Sequence, residues 1–77
     1  MNKERRKELT AIVDELEALK ERLEAVQEEE QECFDNASEG LQATEKFQQI
    51  ESNADDLSSA VDDLDSIIGN IQEIIER

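Results

Sequence analysis

The sequence predicts an all-α protein of two long helices, and three observations support this prediction. The 77 residues contain no proline and only two glycines, so helix-breaking residues are almost absent. Two runs of apolar residues keep alternating spacings of three and four. A short polar segment separates them. We therefore predict one domain over residues 1–77, an antiparallel coiled-coil hairpin with helices at about 3–35 and 44–76 and a loop at about 36–43.

The first apolar run predicts a coiled-coil seam along helix 1. Two apolar residues recur in every seven, which places Leu9 at heptad position a and Ile12 at position d. The run comprises Leu9, Ile12, Leu16, Leu19, Leu23, Val26 and, beyond Glu30, Cys33. We expect Cys33 to be a small core residue at the end of this seam.

The second apolar run predicts a matching seam along helix 2. Its members are Phe47, Ile50, Ala54, Leu57, Val61, Leu64, Ile68, Ile71 and Ile75. A period of 3.5 that persists for four heptads is typical of helices that face each other. In the segment between the runs, Asn36 and Gly40 tolerate left-handed backbone, and Ser38 or Thr44 can cap the next helix. So short a connection favours antiparallel neighbours.

A specific register pairs every a residue with a d residue. If the numbers of facing residues sum to 80, Leu16 faces Leu64 and Cys33 faces Phe47. The same register places the basic segment 3–7 beside Glu73 and Glu76, at the negative end of the second helix dipole.

A further apolar stripe predicts self-association. Helix 2 carries alanine and isoleucine at position g, and helix 1 carries alanines at position c; we expect both sets on one side of the hairpin. Burial of an isoleucine side chain contributes about 1.5–3 kcal/mol, which favours a homodimer or higher oligomer built as a four-helix bundle. Charged residues at g of helix 1 lie between the two sets and oppose this interpretation. The predicted self-association residues are Ala11, Ala18, Ala25, Ala60, Ile67 and Ile74.

The charge distribution indicates which partners the chain can bind. The net charge is −14, but residues 1–7 carry +3, so the other 70 residues carry −17. Such a surface repels nucleic acids and anionic membranes and attracts a basic protein surface. Aspartates, which are poor helix formers, recur on the outer side of helix 2, where they form either a negative array for a basic partner or an ordinary solvated face. The candidate array is Asp55, Asp56, Asp62 and Asp63.

The composition argues against an enzyme. There is no histidine, and Cys33 is the only cysteine, so neither a disulfide nor a structural zinc site is expected. Carboxylates need a cleft and a nucleophile or metal for acid–base catalysis, and a thin hairpin offers no cleft. We predict no cofactor and no metal. The chain shows neither a signal peptide nor a membrane span, and a lone thiol favours the cytoplasm.

The segment between the helices resembles a known group of proteins. It reads Glu28-Glu29-Glu30-Gln31-Glu32-Cys33-Phe34-Asp35-Asn36, followed by Glu39, Leu41-Gln42 and Thr44-Glu45. Over residues 28–47 this is similar to small acidic helical-hairpin proteins encoded by phages and prophages. The resemblance implies a phage origin and a short accessory gene product in the host cytoplasm.

Two roles are open for the residues at the tip of the hairpin. They either cap the helices or form a polar ligand site with an aromatic floor. These residues are Phe34, Asp35, Asn36, Gln42 and Thr44. The leading functional hypothesis is a small acidic protein that blocks a host protein, such as a defence factor, through its negative surface. The alternatives are an oligomeric sponge that sequesters a signalling nucleotide at the tips and a purely structural coiled-coil element.

Overall fold

The computed structural model describes the whole chain from Met1 to Arg77 and contains two long helices and one short helix. Helix α1 spans Lys3–Asp35, α2 spans Glu39–Gln42 and α3 spans Glu45–Glu76. The molecule is a rod of 59 × 15 × 13 Å. A helix of 33 residues is about 50 Å long, so each long helix extends along most of the rod. The fold is all-helical, as the sequence predicts.

Each helix begins at a polar residue with extended backbone whose side chain accepts a hydrogen bond from the backbone N–H three residues later. The acceptors are Asn2 at 2.8 Å, Ser38 at 3.3 Å and Thr44 at 3.5 Å. Such caps satisfy backbone N–H groups that have no partner within the helix.

The segment expected to be a loop contains the single helical turn α2. No residue of the chain has a positive φ angle, so neither Asn36 nor Gly40 uses the left-handed conformation that the sequence allows. The two successive caps, Ser38 and Thr44, restart the helix twice and thereby form the bend without left-handed backbone.

Two hydrogen bonds between α1 and α3 define how the long helices face each other. Lys20 Nζ donates to Asp65 Oδ1 at 2.9 Å, and Asn53 Nδ2 donates to Glu30 Oε2 at 3.0 Å. As the residue numbers rise along α1, those of the partners on α3 therefore fall. The residue numbers of these pairs sum to 85 and 83, which differs from the predicted sum of 80 by about four residues. The observed register is thus displaced by about one helical turn.

The seam of α1 also differs from the prediction. The residues that are buried or half-buried at alternating spacings of three and four are Arg6, Leu9, Val13, Leu16, Lys20, Leu23, Gln27, Glu30, Phe34 and, just beyond α1, Ala37. Leu19 and Val26 are instead 48% and 52% exposed, and Cys33 is exposed. The assignment of these three d residues to the core was wrong, because α1 packs with positions a and e.

Helix α1 can pack against α3 with positions a and e because this series shares its leucines with the predicted a and d series. Leu9, Leu16 and Leu23 belong to both series, so they pack against α3 in either case. The observed series adds Val13, which is only 5% exposed, and accommodates Lys20, whose aliphatic stem covers apolar surface while its ammonium reaches Asp65. On α3, the predicted apolar run is buried or half-buried throughout.

The interior of this rod is very small. Only Val13, Ala54 and Ile68 are buried, with 5%, 0% and 3% of their surface exposed. Two helices side by side cannot enclose more, because each seam residue keeps one edge at the surface. Ala54 has no exposed surface because it lies at the line of contact.

Ala54→Gln should lower the free energy of unfolding by about 1–3 kcal/mol, because a longer polar side chain must be forced between the helices. The matched control is Ala18→Gln, at an exposed position, which should change stability by less than about 0.5 kcal/mol. Urea unfolding followed by circular dichroism measures both. Equal effects would contradict the position of Ala54 at the helix contact.

Lys20 provides a second test of the register. Its hydrogen bond to Asp65 raises its pKa above the ordinary value of 10.5, against the lowering effect of desolvation, and nearby carboxylates add to the increase. Because the folded pKa is raised, this contribution to stability is present below pH 10.5 and is lost as the pH rises through the folded pKa. An NMR titration of the Lys20 side chain should show a higher midpoint in the wild type than in Asp65→Asn. An identical midpoint would mean that the two side chains do not meet.

Candidate protein-binding surfaces

The predicted acidic array lies on the exposed surface of α3. Asp55, Asp56, Asp62 and Asp63 are all exposed, and the two adjacent pairs are separated by seven residues. Seven residues make about two helical turns, so the pairs occupy the same side of α3 about 10 Å apart. We call these four side chains the acidic array.

Almost no base neutralises the negative surface. Lys20 is the only base with a carboxylate within 4.0 Å, and its partners are Asp65 at 2.9 Å and Glu24 at 3.9 Å. None of the four residues of the acidic array has an ion-pair partner. The array is therefore available to a positively charged ligand from outside the chain.

The predicted tip residues lie together at the bend, where they bond to the chain itself. Gln42 Nε2 donates to the carbonyl oxygen of Phe34 at 2.9 Å, and Thr44 Oγ1 donates to the carbonyl oxygen of Leu41 at 2.6 Å. Asp35 accepts a hydrogen bond from Gln31 at 3.0 Å. Phe34 is half-buried, and the backbone N–H of Asn36 caps the end of α1. These bonds support a role of the tip residues in forming the bend.

Other kinds of site find little support. No group of three or more cysteine, aspartate or glutamate side chains is placed to hold a metal ion. The surface has two grooves, one on each side of the contact between α1 and α3. Neither long helix carries an apolar stretch that could span a bilayer.

The two sides of the helix contact differ in polarity. On one side, Lys20 bonds to Asp65, and the groove is lined by Val13 and Ile75 among the polar residues Thr10, Asp14, Glu17, Gln72 and Glu76. On the other side, the shorter groove is lined by Val26 and Glu30 of α1 and by Asn53, Asp56 and Leu57 of α3. Successive steps of seven residues from Val26 and Asn53 follow this second side along the rod.

These steps define an apolar strip, which we call the apolar flank. It consists of Ile12, Leu19 and Val26 on α1 and Ala60, Ile67 and Ile74 on α3. Leu19, Val26 and Ile67 are 48%, 52% and 49% exposed. The apolar flank is a direct result of the seam: when α1 packs with positions a and e, its d residues turn outward.

The structure separates the two halves of the predicted self-association set. Ile67 and Ile74 lie on the apolar flank, but Ala11, Ala18 and Ala25 each precede a flank residue by one position. One residue is about 100° of helix rotation, which turns the alanines to the side of α1 opposite α3. All three alanines are exposed.

The basic segment at the N-terminus does not pair with the end of α3. No ion pair joins it to Glu73 or Glu76, although the sequence places these charges at the same end of the rod. Lys3, Arg5 and Lys7 are exposed. Arg6 is half-buried, and its Nε atom has no hydrogen-bond partner. The basic segment and these carboxylates therefore share one end of the rod without forming a close ion pair.

A repeat in the sequence of α1 marks the apolar flank, although the heptad assignment placed its d residues in the core. Three adjacent pairs, Ala11-Ile12, Ala18-Leu19 and Ala25-Val26, repeat every seven residues. The d residues of these pairs were assigned to the core. Val13 and Phe34, both at position e, indicate that a second seam exists next to the first.

Comparison with known proteins provides no functional template. No protein-family model matches the chain, and no curated protein or solved structure is significantly similar to it. The resemblance of residues 28–47 to phage hairpin proteins remains a prediction. Function must therefore be argued from the surfaces described above.

Thr44→Ala should lower the free energy of unfolding by about 0.5–2 kcal/mol, because the change removes the cap of α3 and the bond to the Leu41 carbonyl. Thr10→Ala is the control, since Thr10 is exposed within α1 and bonds only to the preceding turn. Thermal unfolding compares the two variants. A Thr44 variant as stable as the control would show that the bend does not depend on this cap.

Proposed function

We propose that this chain is an antiparallel coiled-coil hairpin that binds a basic protein surface through the acidic array on α3. One observation carries the proposal: in a chain of 22 acidic residues, the four aspartates of the array are exposed and have no ion-pair partner within the chain. Unpaired carboxylates on a rigid support attract and orient a positively charged partner.

The helix supports this function by fixing the carboxylates in space. Asp55 and Asp62 lie two turns apart, as do Asp56 and Asp63, so the array presents two pairs of negative charges about 10 Å apart. Aspartate has a shorter side chain than glutamate and loses less conformational entropy when it is held by a partner. Aspartate also disfavours the helix, so a face selected only for helix stability would carry glutamate instead.

The partner that this chemistry fits is a protein surface rich in lysine or arginine. The resemblance to phage-encoded hairpins suggests a protein of the bacterial host, and a defence protein is the form of the hypothesis with a clear benefit to the phage. Association of two hairpins into a four-helix bundle would double the array on one particle and strengthen binding to a multivalent partner.

The test replaces Asp55, Asp56, Asp62 and Asp63 together with asparagine. This change removes four negative charges with little change of shape, so the on-rate for a basic partner should fall at least tenfold at low salt, and the difference should shrink at high salt. The partner is captured on the immobilised chain from host-cell lysate and eluted with salt. Surface plasmon resonance then measures its association with each variant.

A matched control removes the same number of charges from another surface. Asp14→Asn with Glu21→Gln, Glu28→Gln and Glu32→Gln neutralises four exposed carboxylates of α1. The proposal expects this variant to keep most of the wild-type on-rate. Equal losses in both variants would show that total charge matters and the array does not. Normal binding by the four-asparagine variant, with loss in Asn36→Ala combined with Gln42→Ala, would move the site to the tip.

A further inference from the structure

We propose that the apolar flank binds a second copy of this chain, with the two rods antiparallel and their bends at opposite ends. This inference deepens the self-association that is part of the proposed function, but it does not depend on the acidic array. It identifies the surface, the partner and the orientation.

The face of the rod that carries the apolar flank has the extent that a stable dimer needs. Its α1 residues Ile12, Leu19 and Val26 and its α3 residues Ala60, Ile67 and Ile74 follow both helices at heptad spacing. The largest face of the rod measures 59 by 15 Å, or about 890 Å². A stable interface buries roughly 800 Å² on each partner, so contact along most of this face is sufficient.

The apolar flank is complementary to itself in the antiparallel orientation. A twofold axis that passes Leu19 and Ile67 brings each of these residues against its own copy. The same axis places Ile12 against Val26 of the second copy and Ala60 against Ile74 of the second copy. In the observed register, Leu19 faces position 65 of α3, which is two residues, or about 3 Å, from Ile67. One axis therefore serves both helices, as a symmetric dimer requires.

Charge selects the antiparallel orientation over the parallel one. One end of the rod is close to neutral, because the bases Lys3, Arg5, Arg6, Lys7 and Arg77 lie near the acids Glu4, Glu8, Glu73 and Glu76. The other end is acidic, with exposed carboxylates on Glu28, Glu29, Glu32, Asp35 and Glu39. Antiparallel rods place this end, with its exposed Lys3, Arg5 and Lys7, beside the acidic end of the second copy. Parallel rods would place the two acidic ends together, which costs free energy.

The charges beside the apolar flank attract those of the second copy in the middle of the rod and repel them nearer its ends. With the twofold axis at Leu19, Glu15 meets Arg22 of the second copy, and this pairing occurs twice. Glu8 meets Glu29 of the second copy, with Arg5 one turn away. The favourable pairs of Glu15 with Arg22 lie at the centre of the dimer, where the apolar flanks of the two copies meet and exclude water.

The first experiment changes the apolar flank without changing the core. Leu19→Glu with Val26→Glu should convert a dimer to a monomer, measured by light scattering after size-exclusion chromatography. The control is Ala18→Glu with Ala25→Glu, one residue away on the opposite side of α1, which should keep the wild-type mass. Helical circular dichroism should remain near the wild-type value in both variants, because none of these four side chains is buried within one chain.

The second experiment tests the orientation by oxidative cross-linking. In a Cys33→Ser background, Leu19→Cys should form a disulfide-linked dimer, because the proposed axis brings position 19 against itself. The matched control in the same background is Glu21→Cys, which is exposed on the other side of α1 and should stay monomeric on a denaturing gel. Parallel rods would instead place α1 over α3 of the second copy, and position 19 would not cross-link.

Several results would overturn the inference. A monomeric wild type, or an unchanged mass in the Leu19 and Val26 variant, would exclude the apolar flank as the interface. Loss of helix in that variant would place these side chains in the core of a single chain. A cross-link at position 21 and none at 19 would exclude the orientation. The acidic-array function has a separate test, because a wild-type on-rate of the four-asparagine variant would contradict it. That result would not change the mass expected for any variant of the apolar flank.

Discussion

The contact between α1 and α3 is the interaction on which the other features of this molecule depend. Leu9, Leu16 and Leu23 provide the constant part of this contact, and the neighbouring residues decide how α1 is rotated. The structure adds Val13 and Phe34 to the leucines, together with the long polar side chain of Lys20. That choice turns Leu19 and Val26 outward, creates the apolar flank and shifts the register by about one turn.

A two-helix rod has consequences for stability that a larger domain does not share. Only three side chains are buried, so little of the apolar surface of the chain is removed from water. Small domains of this kind commonly depend on disulfides, metals or association for stability, and this chain has a single, exposed cysteine. Coverage of the apolar flank by a second copy would supply the missing burial. The dimer would then be more stable than the single hairpin, and stability would rise with protein concentration.

The charge distribution acts on a longer range than the seam. Asp55 and Asp62 lie on the outer surface of α3, and Asp56 lines the groove beside Val26 of α1. The basic segment and the acidic bend lie at opposite ends of the rod. In an antiparallel dimer, the end charges are used between the two copies, and Asp55 and Asp62 remain outside. Asp56 borders the apolar flank, so a dimer through that flank would leave Asp55 and Asp62 more accessible to a basic partner than Asp56.

The main secondary structure followed from the sequence because its causes are local. Heptad spacing and the absence of proline indicate two long helices, and Ser38 and Thr44 are cap-forming residue types that accept the expected hydrogen bonds. The turn α2 was not expected, because a segment with Asn36 and Gly40 is equally compatible with left-handed backbone. The residues of the acidic array follow from their outward heptad positions and from the low helix propensity of aspartate.

The sequence alone determined the helical class, the polar break between the helices and the excess of negative charge, because each depends on residue type and short-range spacing. The tertiary structure decided which side of α1 meets α3. The a and d series and the a and e series share the same leucines and the same alternating spacing, so no pattern within α1 distinguishes them. The difference lies in how Val13, Lys20 and Phe34 fit against α3 compared with Ile12, Leu19 and Cys33, and that fit exists only when both helices are present.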